Sequence, residues 1–398
     1  MAKKIVVIGT GYVGLPAALM LANAGHEVVG VDIDKNIVEA INKGEMHINE
    51  EELQSLMQRD NIRKNLKAQS QPCKADVFII AVPTPIDKRK KIADLSFVTD
   101  AIEAILPYID KNNLIIIEST VPPLTCREVI KPMIEKTGFI VGDDILLAHC
   151  PERILPGNIF YEIVHNHRII GGINERSSLA AKELYLSFVK GNLYLTDDVT
   201  TELCKLMENT YRDVNIALAN EFSAVGETLG IHIKRAIELA NKHPRVNILS
   251  PGIGVGGHCI PIDPWFIKQV DPENCTLIFA ARKINEQMPV KTAAKIRRAV
   301  RHMQSPKIIA LGATYKPNTY DLRESPALEV VRLLREDGYD VKVYDPLTKE
   351  YTYSALEEIV KGADCLAILV EHEVIMKELL EKEARIKSLM RNPIIIRF

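Results

Sequence analysis

From Lys3 to about Leu195, short runs rich in β-branched residues alternate with longer amphipathic segments. "KIVVIG", "EVVGVD", "DVFIIAVPTP", "LIIIEST", "ILLAHCPER" and "HRIIGG" each carry the signature of a strand. Strands that are apolar throughout and separated by helical patterns must be covered on both faces, which predicts a doubly wound parallel sheet. From Asp197 to about Arg301 the strand signals stop. "DDVTTELCKLMENTYRDVNIALANEFSAVGETLG" repeats apolar residues at helical spacing through Leu203, Leu206, Met207, Val214, Leu218 and Phe222, and Gly230 ends the pattern. The alternation returns at Lys307 with "KIIALGATYKPNT", "SPALEVVRLLREDG", "YDVKVYDP", "ADCLAILVEH" and "PIIIRF". The expected fold is therefore α/β: two Rossmann-like doubly wound domains, residues 1–196 and 303–398, joined by a central helical domain over 197–302.

"IGTGYVG" sets Gly9, Gly11 and Gly14 as GxGxxG directly after the first strand, and Asp32 ends the second. Glycines at this spacing permit a tight turn and a close backbone approach to a pyrophosphate on the helix N-terminus. An acid at the end of the second strand accepts hydrogen bonds from ribose hydroxyls and disfavours a 2′-phosphate. The pattern predicts NAD, bound around Gly9, Gly11, Tyr12, Val13, Gly14 and Asp32. Thr84 in "AVPTP" and Thr120 in "ESTVPP" end later strands, on the sheet edge where ligands of open α/β folds bind. They read equally as cofactor or substrate contacts and as ordinary turn residues.

"GVGGHCIPIDP" (Gly254 to Pro264) places Cys259 beside a run of glycines, with Asp263 four residues on. Free cysteine is among the most buried residue types, so a thiol in isolation is as readily structural as reactive. A loop stripped of side chains at Gly252, Gly254, Gly256 and Gly257 is poor core material, however, and lets a substrate reach the thiol. Lys205 and Asn209 are four residues apart and share a helix face, with Arg212 near that stripe. The row is either a solvated face or a set of groups that stabilises an oxyanion beside a covalent adduct. Glu152 in "HCPERILPG" follows a strand end, where a carboxylate can handle a water.

Lys+Arg 50 against Asp+Glu 52 leaves a net charge of −2, so neither nucleic acid nor a membrane surface is an expected partner. The seven cysteines are scattered with no CxxC pair. His165, His167, His232, His243 and His258 show no ligand spacing, and no metal is expected. Reduced thiols, no signal-peptide pattern and no run of roughly 18 apolar residues lead to the expectation of a cytoplasmic protein.

Taken in order, "GTGYVGLP", "VPTP", "ESTVPP", "PERILPG", "NTYRDVNIALANE", "PGIGVGGHCIPIDP" and "YKPNTYDLRESPA" resemble the nucleotide-sugar 6-dehydrogenase family, the UDP-glucose and GDP-mannose dehydrogenase group, over essentially the whole length. The pairing of "NTYRDVNIALANEF" with "NKHPRVNILSPGIGVGGHCIPIDPWF" is similar in particular to members that act on UDP-N-acetyl-D-mannosamine. The resemblance implies a four-electron oxidation of the sugar C6 alcohol to a carboxylate, with two NAD+ and one water, through a thiohemiacetal and a thioester on Cys259. It implies that Lys205 and Asn209 stabilise the alkoxide and oxyanions, that Asp263 serves the proton transfers, and that Glu152 and Thr120 place the water. It also implies substrate contacts from Glu152, Arg153, Lys205, Asn209, Arg212, Gly256, His258 and Lys316, and a cofactor contact from Arg323. Arg245 would reach a neighbouring subunit's substrate, so a homodimer joined through the helical domain is expected. One departure is that the family continues after the last strand with an acid, an arginine and a further tail, for which Arg397 of "PIIIRF" would be the stand-in arginine. The product would be an acidic sugar donor for polysaccharide biosynthesis. Three alternatives stay open: the same chemistry on UDP-N-acetylglucosamine, UDP-glucose or GDP-mannose; a two-electron hydroxyacid-type dehydrogenase, which has no use for Cys259; and a non-catalytic NAD- or nucleotide-sugar-binding protein, which needs no nucleophile.

Overall fold

The computed structural model describes residues 2–48, 50–155 and 157–398. By its internal contacts the chain divides into two compact units, residues up to 207 with 265–271, and residues 208–264 with 272–398.

The first unit holds β1 (Lys4–Ile8), β2 (Glu27–Val31), β3 (Leu66–Gln69), β4 (Val77–Ile80), the short β5 (Ile86–Asp87) and β6 (Ile92–Ala93), β7 (Leu114–Ile117), β8 (Leu146–His149), β9 (Arg168–Gly172) and β10 (Leu193–Asp197). Eight of them form one sheet in the order β10-β9-β8-β7-β4-β1-β2-β3, with β5 and β6 a separate hairpin. Because successive side chains point to opposite faces, Ile5, Val7, Ile79 and Ile116 join one core layer while Val6, Ile8, Phe78 and Ile117 join the other. Each such side chain, fully buried, contributes about 1.5–3 kcal/mol. Chain order reverses between β1 and its neighbours β2 and β4, so the glycine loop after β1 opens at the switch point of the sheet.

One pairing departs from the all-parallel expectation. β8 and β9 run antiparallel, Ala148 against Gly172 and His149 against Gly171. A parallel return usually needs a substantial crossover helix, and between β8 and β9 there is only the seven-residue Ile159–His165 helix. An apolar run reads the same in either direction, so the sequence pattern is blind to this reversal. β3 also escaped the pattern: "LKAQ" is an edge strand, apolar only at alternate positions.

The second unit holds β11 (Lys307–Leu311), β12 (Asp340–Tyr344), β13 (Cys365–Ile368) and β14 (Ile394–Arg397), all parallel in the order β12-β11-β13-β14. The helix Thr276–Val300 leads into it, and its Ala293, Ile296 and Val300 pack in one core layer with Ile308, Ala310 and Val330.

The predicted long helix runs from Asp198 to Leu229. Of its apolar residues Leu206 is fully buried, whereas Leu203, Met207, Tyr211, Leu218, Phe222 and Val225 are 36–58 % exposed. At about 100° per residue these six fall on one stripe. No helix among the described residues is long and apolar enough to cross a membrane.

Candidate active site

The glycine loop shows a division of labour. Gly9 has φ +87°, and a Cβ there would stand 2.7 Å from the Ala81 carbonyl oxygen; at Gly14 it would stand 1.9 Å from the Gly9 carbonyl oxygen. At Gly11 a Cβ would meet nothing within 4 Å. Gly9 and Gly14 are therefore needed by the protein itself, and Gly11 leaves a cradle open above the backbone. The helix that follows, Gly14–Asn23, has no side-chain cap and no acid in its first turn, so the positive end of its dipole faces no competing carboxylate of its own and suits a pyrophosphate. Asp32 accepts hydrogen bonds from Thr10 N (3.0 Å) and Thr10 Oγ1 (2.9 Å) on Oδ2, and from Asp34 N (3.0 Å) on Oδ1. It thus ties the end of β2 to the loop. Tyr12 is exposed, and Val13 half-buried. The Thr84 hydroxyl oxygen, past the end of β4, is buried with no hydrogen-bond partner among the described residues. These features fit NAD.

Two consequences separate fold from cofactor. Gly14→Ala should lower the melting temperature, because the loop must open to admit the methyl group. Gly11→Ala should leave the melting temperature unchanged and weaken NADH binding at least tenfold, about 1.4 kcal/mol, as its methyl group fills the cradle. A fluorescence titration of NADH beside a thermal melt checks both.

A buried polar clasp draws the first turns of the long helix to the ends of β7 and β8. His149, the last residue of β8, lies with one ring nitrogen 3.0 Å from Thr201 Oγ1 and the other 3.3 Å from Ser119 O. Burial pushes its pKa down to about 3, so the ring is neutral. Glu202 accepts from the N–H groups of Leu124 (2.7 Å) and Cys126 (2.8 Å), and burial raises its carboxyl to about 7. Arg127 pairs with buried Asp198 at 2.7 Å. Lys205, half-buried one turn beyond Thr201, is thereby brought to the sheet edge that carries Thr120 and Glu152. Glu152 is buried, with Oε1 accepting from Arg153 N at 2.7 Å and Oε2 from Arg168.

In the second unit the cysteine loop is held from several sides. Asn209 Nδ2 donates to Asp263 Oδ2 at 2.6 Å, and both residues are buried. Asp263 opens the helix Asp263–Val270, and its N–H donates to the Cys259 carbonyl at 2.9 Å, beside Ile262 N at 3.0 Å. Cys259 Sγ stands 3.5 Å from Nδ1 of the exposed His258. At the start of the loop Gly252 N donates to Asn220 Oδ1 (2.9 Å). Asn220 Nδ2 donates to Asn285 Oδ1 (3.0 Å), and Asn285 Nδ2 donates to Asp213 Oδ1 (2.9 Å).

The loop's glycines have a different role from the one expected. A Cβ at Gly254 would stand 3.2 Å from Asn285 O, one at Gly256 2.5 Å from Glu324 O, and one at Gly257 3.1 Å from the Tyr315 ring. Only Gly252 is open. Three of the four glycines thus let the loop press against Tyr315–Pro326 and the Thr276–Val300 helix, and so fix Cys259 rather than clear a path to it.

Gly257 N donates to the Arg323 carbonyl at 3.0 Å, and the Arg323 side chain grips Asp321, with 2.6 Å from its Nη2 to Oδ2. Burial would raise the Asp321 carboxyl, but the Arg323 hydrogen bonds outweigh it and hold the group below its ordinary value. Lys316 Nζ lies 5.7 Å from the Tyr315 ring centre. Arg212 is exposed on the long helix. Arg245 stays on an exposed loop against His243 (3.4 Å), in a segment pinned by Asn241 and Asn215 through Ile248, Leu249 and Asn247. Arg397, in β14, pairs with Glu371. Sequence reasoning missed His149, Thr201, Glu202, Arg168, Asn220 and Asn285. The one trace was charge in places that should be apolar: Arg168 opens a buried strand, and Glu118 directly follows one.

Residues 3–189 match the NAD binding domain of the UDP-glucose/GDP-mannose dehydrogenase family, residues 199–287 its central domain, and residues 309–398 its UDP binding domain. The chain is 49 % identical over 379 residues to a UDP-N-acetyl-D-mannosamine dehydrogenase of Methanococcus maripaludis, covering 94 % of this chain and 87 % of that one. It is 41 % identical over 390 residues to an NDP-N-acetyl-D-galactosaminuronic acid dehydrogenase of Ralstonia solanacearum, covering 94 % and 92 %. The solved structure of a UDP-D-ManNAc dehydrogenase from Pyrococcus horikoshii superposes with a TM-score of 0.93 at 42 % identity, over 99 % of this chain and 94 % of that one. With the glycine cradle on one unit and the clamped cysteine loop on the other, and all three family domains matched in order, this chain belongs to the UDP-glucose/GDP-mannose dehydrogenase family.

Proposed function

We propose that this NAD-dependent enzyme oxidises UDP-N-acetyl-D-mannosamine at C6 to the carboxylate, consuming two NAD+ and one water. The substrate is carried over from the Methanococcus and Pyrococcus relatives. The observation that carries the chemistry is the lock of Asn209 on Asp263 and of Asp263 on the Cys259 backbone, which ties the loop that bears a half-buried thiol to a carboxylate and an amide. NAD+, when bound, takes one hydride in each of two oxidations. Lys205 and Asn209 offer a cation and an amide N–H to the alkoxide of the first oxidation and to the later tetrahedral oxyanions. The Cys259 thiolate adds to the aldehyde, a task for which sulfur is the better nucleophile near neutral pH, and the thioester formed next is opened by water. Asp263 accepts and returns protons at the sugar oxygen; Glu152 and Thr120 place the water.

The chain is read in three functional parts, residues 1–196, 197–302 and 303–398. In the last, Lys316 and Arg323 serve the nucleotide and the cofactor pyrophosphate. The exposed apolar stripe from Leu203 to Val225 supports a homodimer through the long helix, in which Arg245 reaches the partner's substrate. Seven cysteines with no disulfide between them, one of them needed as a thiol, suit a reducing cytoplasm. The acidic nucleotide sugar formed suits polysaccharide biosynthesis.

With limiting UDP-N-acetyl-D-mannosamine and excess NAD+, absorbance should report two NADH per sugar and a uronate product. One NADH per sugar would overturn the four-electron reading. Faster turnover of UDP-glucose or UDP-N-acetylglucosamine would move the substrate assignment.

A further inference from the structure

Arg168 is 3 % exposed at the first position of β9, and it faces two buried carboxylates. It pairs directly with Glu152, stands 3.7 Å from Glu118, and lies 4.0 Å from Cys150 Sγ. Its guanidinium carbon sits 4.7 Å over the Tyr185 ring, and the Tyr185 hydroxyl donates to Glu118 at 2.6 Å. Such a cluster is costly to bury, since each ion gives up hydration.

The reversed direction of β9 is what builds the cluster. In the antiparallel register 148 opposes 172 and 149 opposes 171, so each pair sums to 320 and the same register continued brings 152 opposite 168. Had β9 run parallel to β8, its first residue would lie at the far end of the sheet, about 13 Å away for a strand of this length. The reversal thus delivers a cation to the edge where β7 and β8 end and where Thr120 and Glu152 emerge. The guanidinium holds one oxygen of Glu152, and Arg153 N holds the other. The carboxylate is therefore fixed in both position and plane, with its remaining lone pairs directed by those two donors. Burial pushes Glu118 up to about 7, with Arg168 opposing that rise, so the second acid is partly protonated near neutrality and competes weakly for the arginine.

We propose that Arg168 is a positioning residue for thioester hydrolysis, acting through Glu152 and delivered to it by the antiparallel β9. The inference rests on the reading that water opens a Cys259 thioester at Glu152. In that step the water oxygen forms the new C–O bond as the C–S bond breaks, one water proton passes to Glu152, and the sulfur leaves as thiolate. A Glu152 free to turn would lose this step while both oxidations, which do not use it as a base, continue.

The test is rapid mixing of the full-length enzyme with UDP-N-acetyl-D-mannosamine and saturating NAD+, following NADH and the intact mass of the quenched protein. Arg168→Gln and Arg168→Lys are compared, the lysine variant keeping the buried cation if the glutamine variant fails to fold. Both should give a burst approaching two NADH per site, then a steady rate lower by roughly a hundredfold, with an acyl adduct on Cys259 and a KM that falls with kcat, so that kcat/KM is unchanged. Glu152→Gln should show the same signature, and Glu118→Gln should turn over without adduct. The proposal is overturned if burst and steady rate fall together without adduct, as misfolding would cause, or if the burst itself slows. Adduct in Glu118→Gln would assign the effect to the cluster as a whole and also overturn it. A wild type that releases one NADH per sugar would overturn the functional reading, and this inference with it.

Discussion

Cys259→Ser should abolish net formation of the acid, lowering steady NADH production at least roughly a thousandfold, because a serine hydroxyl is almost wholly un-ionised near neutral pH where a thiol supplies thiolate. Cofactor affinity should be unchanged, since the glycine cradle lies in the other unit of the chain. At most one NADH per sugar should appear in a single turnover, the first oxidation needing no nucleophile. Steady-state rates, a single-turnover trace and NADH titration measure these three quantities. An unaffected rate would return the enzyme to the two-electron class, in which Cys259 has no work to do.

Arg282→Met should be the most destabilising of the substitutions considered. Arg282 and Asp213 are both buried, with 2.6 Å between Nη1 and Oδ1, and Asp213 is further bound by Asn285. Removing the cation leaves a carboxylate without its counter-charge, at a cost of about 3–5 kcal/mol, or roughly ten degrees in Tm. The sign of the pH dependence follows from Asp213. Burial already raises its folded pKa despite Arg282, and loss of the arginine raises it further. The folded variant therefore binds a proton that the unfolded chain has released, and its stability falls as pH rises from the unfolded value near 4 through the raised folded value. The deficit against wild type should be larger at pH 8 than at pH 5, as measured by denaturant titration at both. Because Asp213 anchors Asn285, Asn220 and Gly252 in turn, kcat should also fall in the surviving enzyme.

Much of this protein was legible in one dimension. The apolar runs of "KIVVI" and "VFII" had to be strands buried on both faces, and they fill both core layers of the sheet. The 3.6-residue period from Asp198 onward had to be a helix, and the helix ends at Leu229, just before Gly230. Gly9, Gly11, Gly14 and Asp32 announced the cofactor because local spacing suffices to specify a turn at the end of a strand. Leu203, Met207, Leu218 and Phe222 show the limit of the same logic. Period alone cannot say whether an apolar stripe meets the chain's own core, and here it faces outward.

What periodicity and motif order establish are properties of neighbouring residues: strand or helix, turn or cap, and the order of the elements. Strand direction, the contacts of charged side chains and the purpose of a close-packed glycine depend on residues far apart in the chain. β9 had to be seen antiparallel before Arg168 could be set against Glu152. Gly256 and Gly257 had to be seen against Tyr315 before they could be read as packing sites. Asp213, Arg282, Asn285 and Asn220 carry no local signature, because a buried polar network is defined by mutual satisfaction of hydrogen bonds across elements. Local sequence encodes backbone preference at short range, whereas desolvation and hydrogen-bond geometry act through space, and the site is made of the latter.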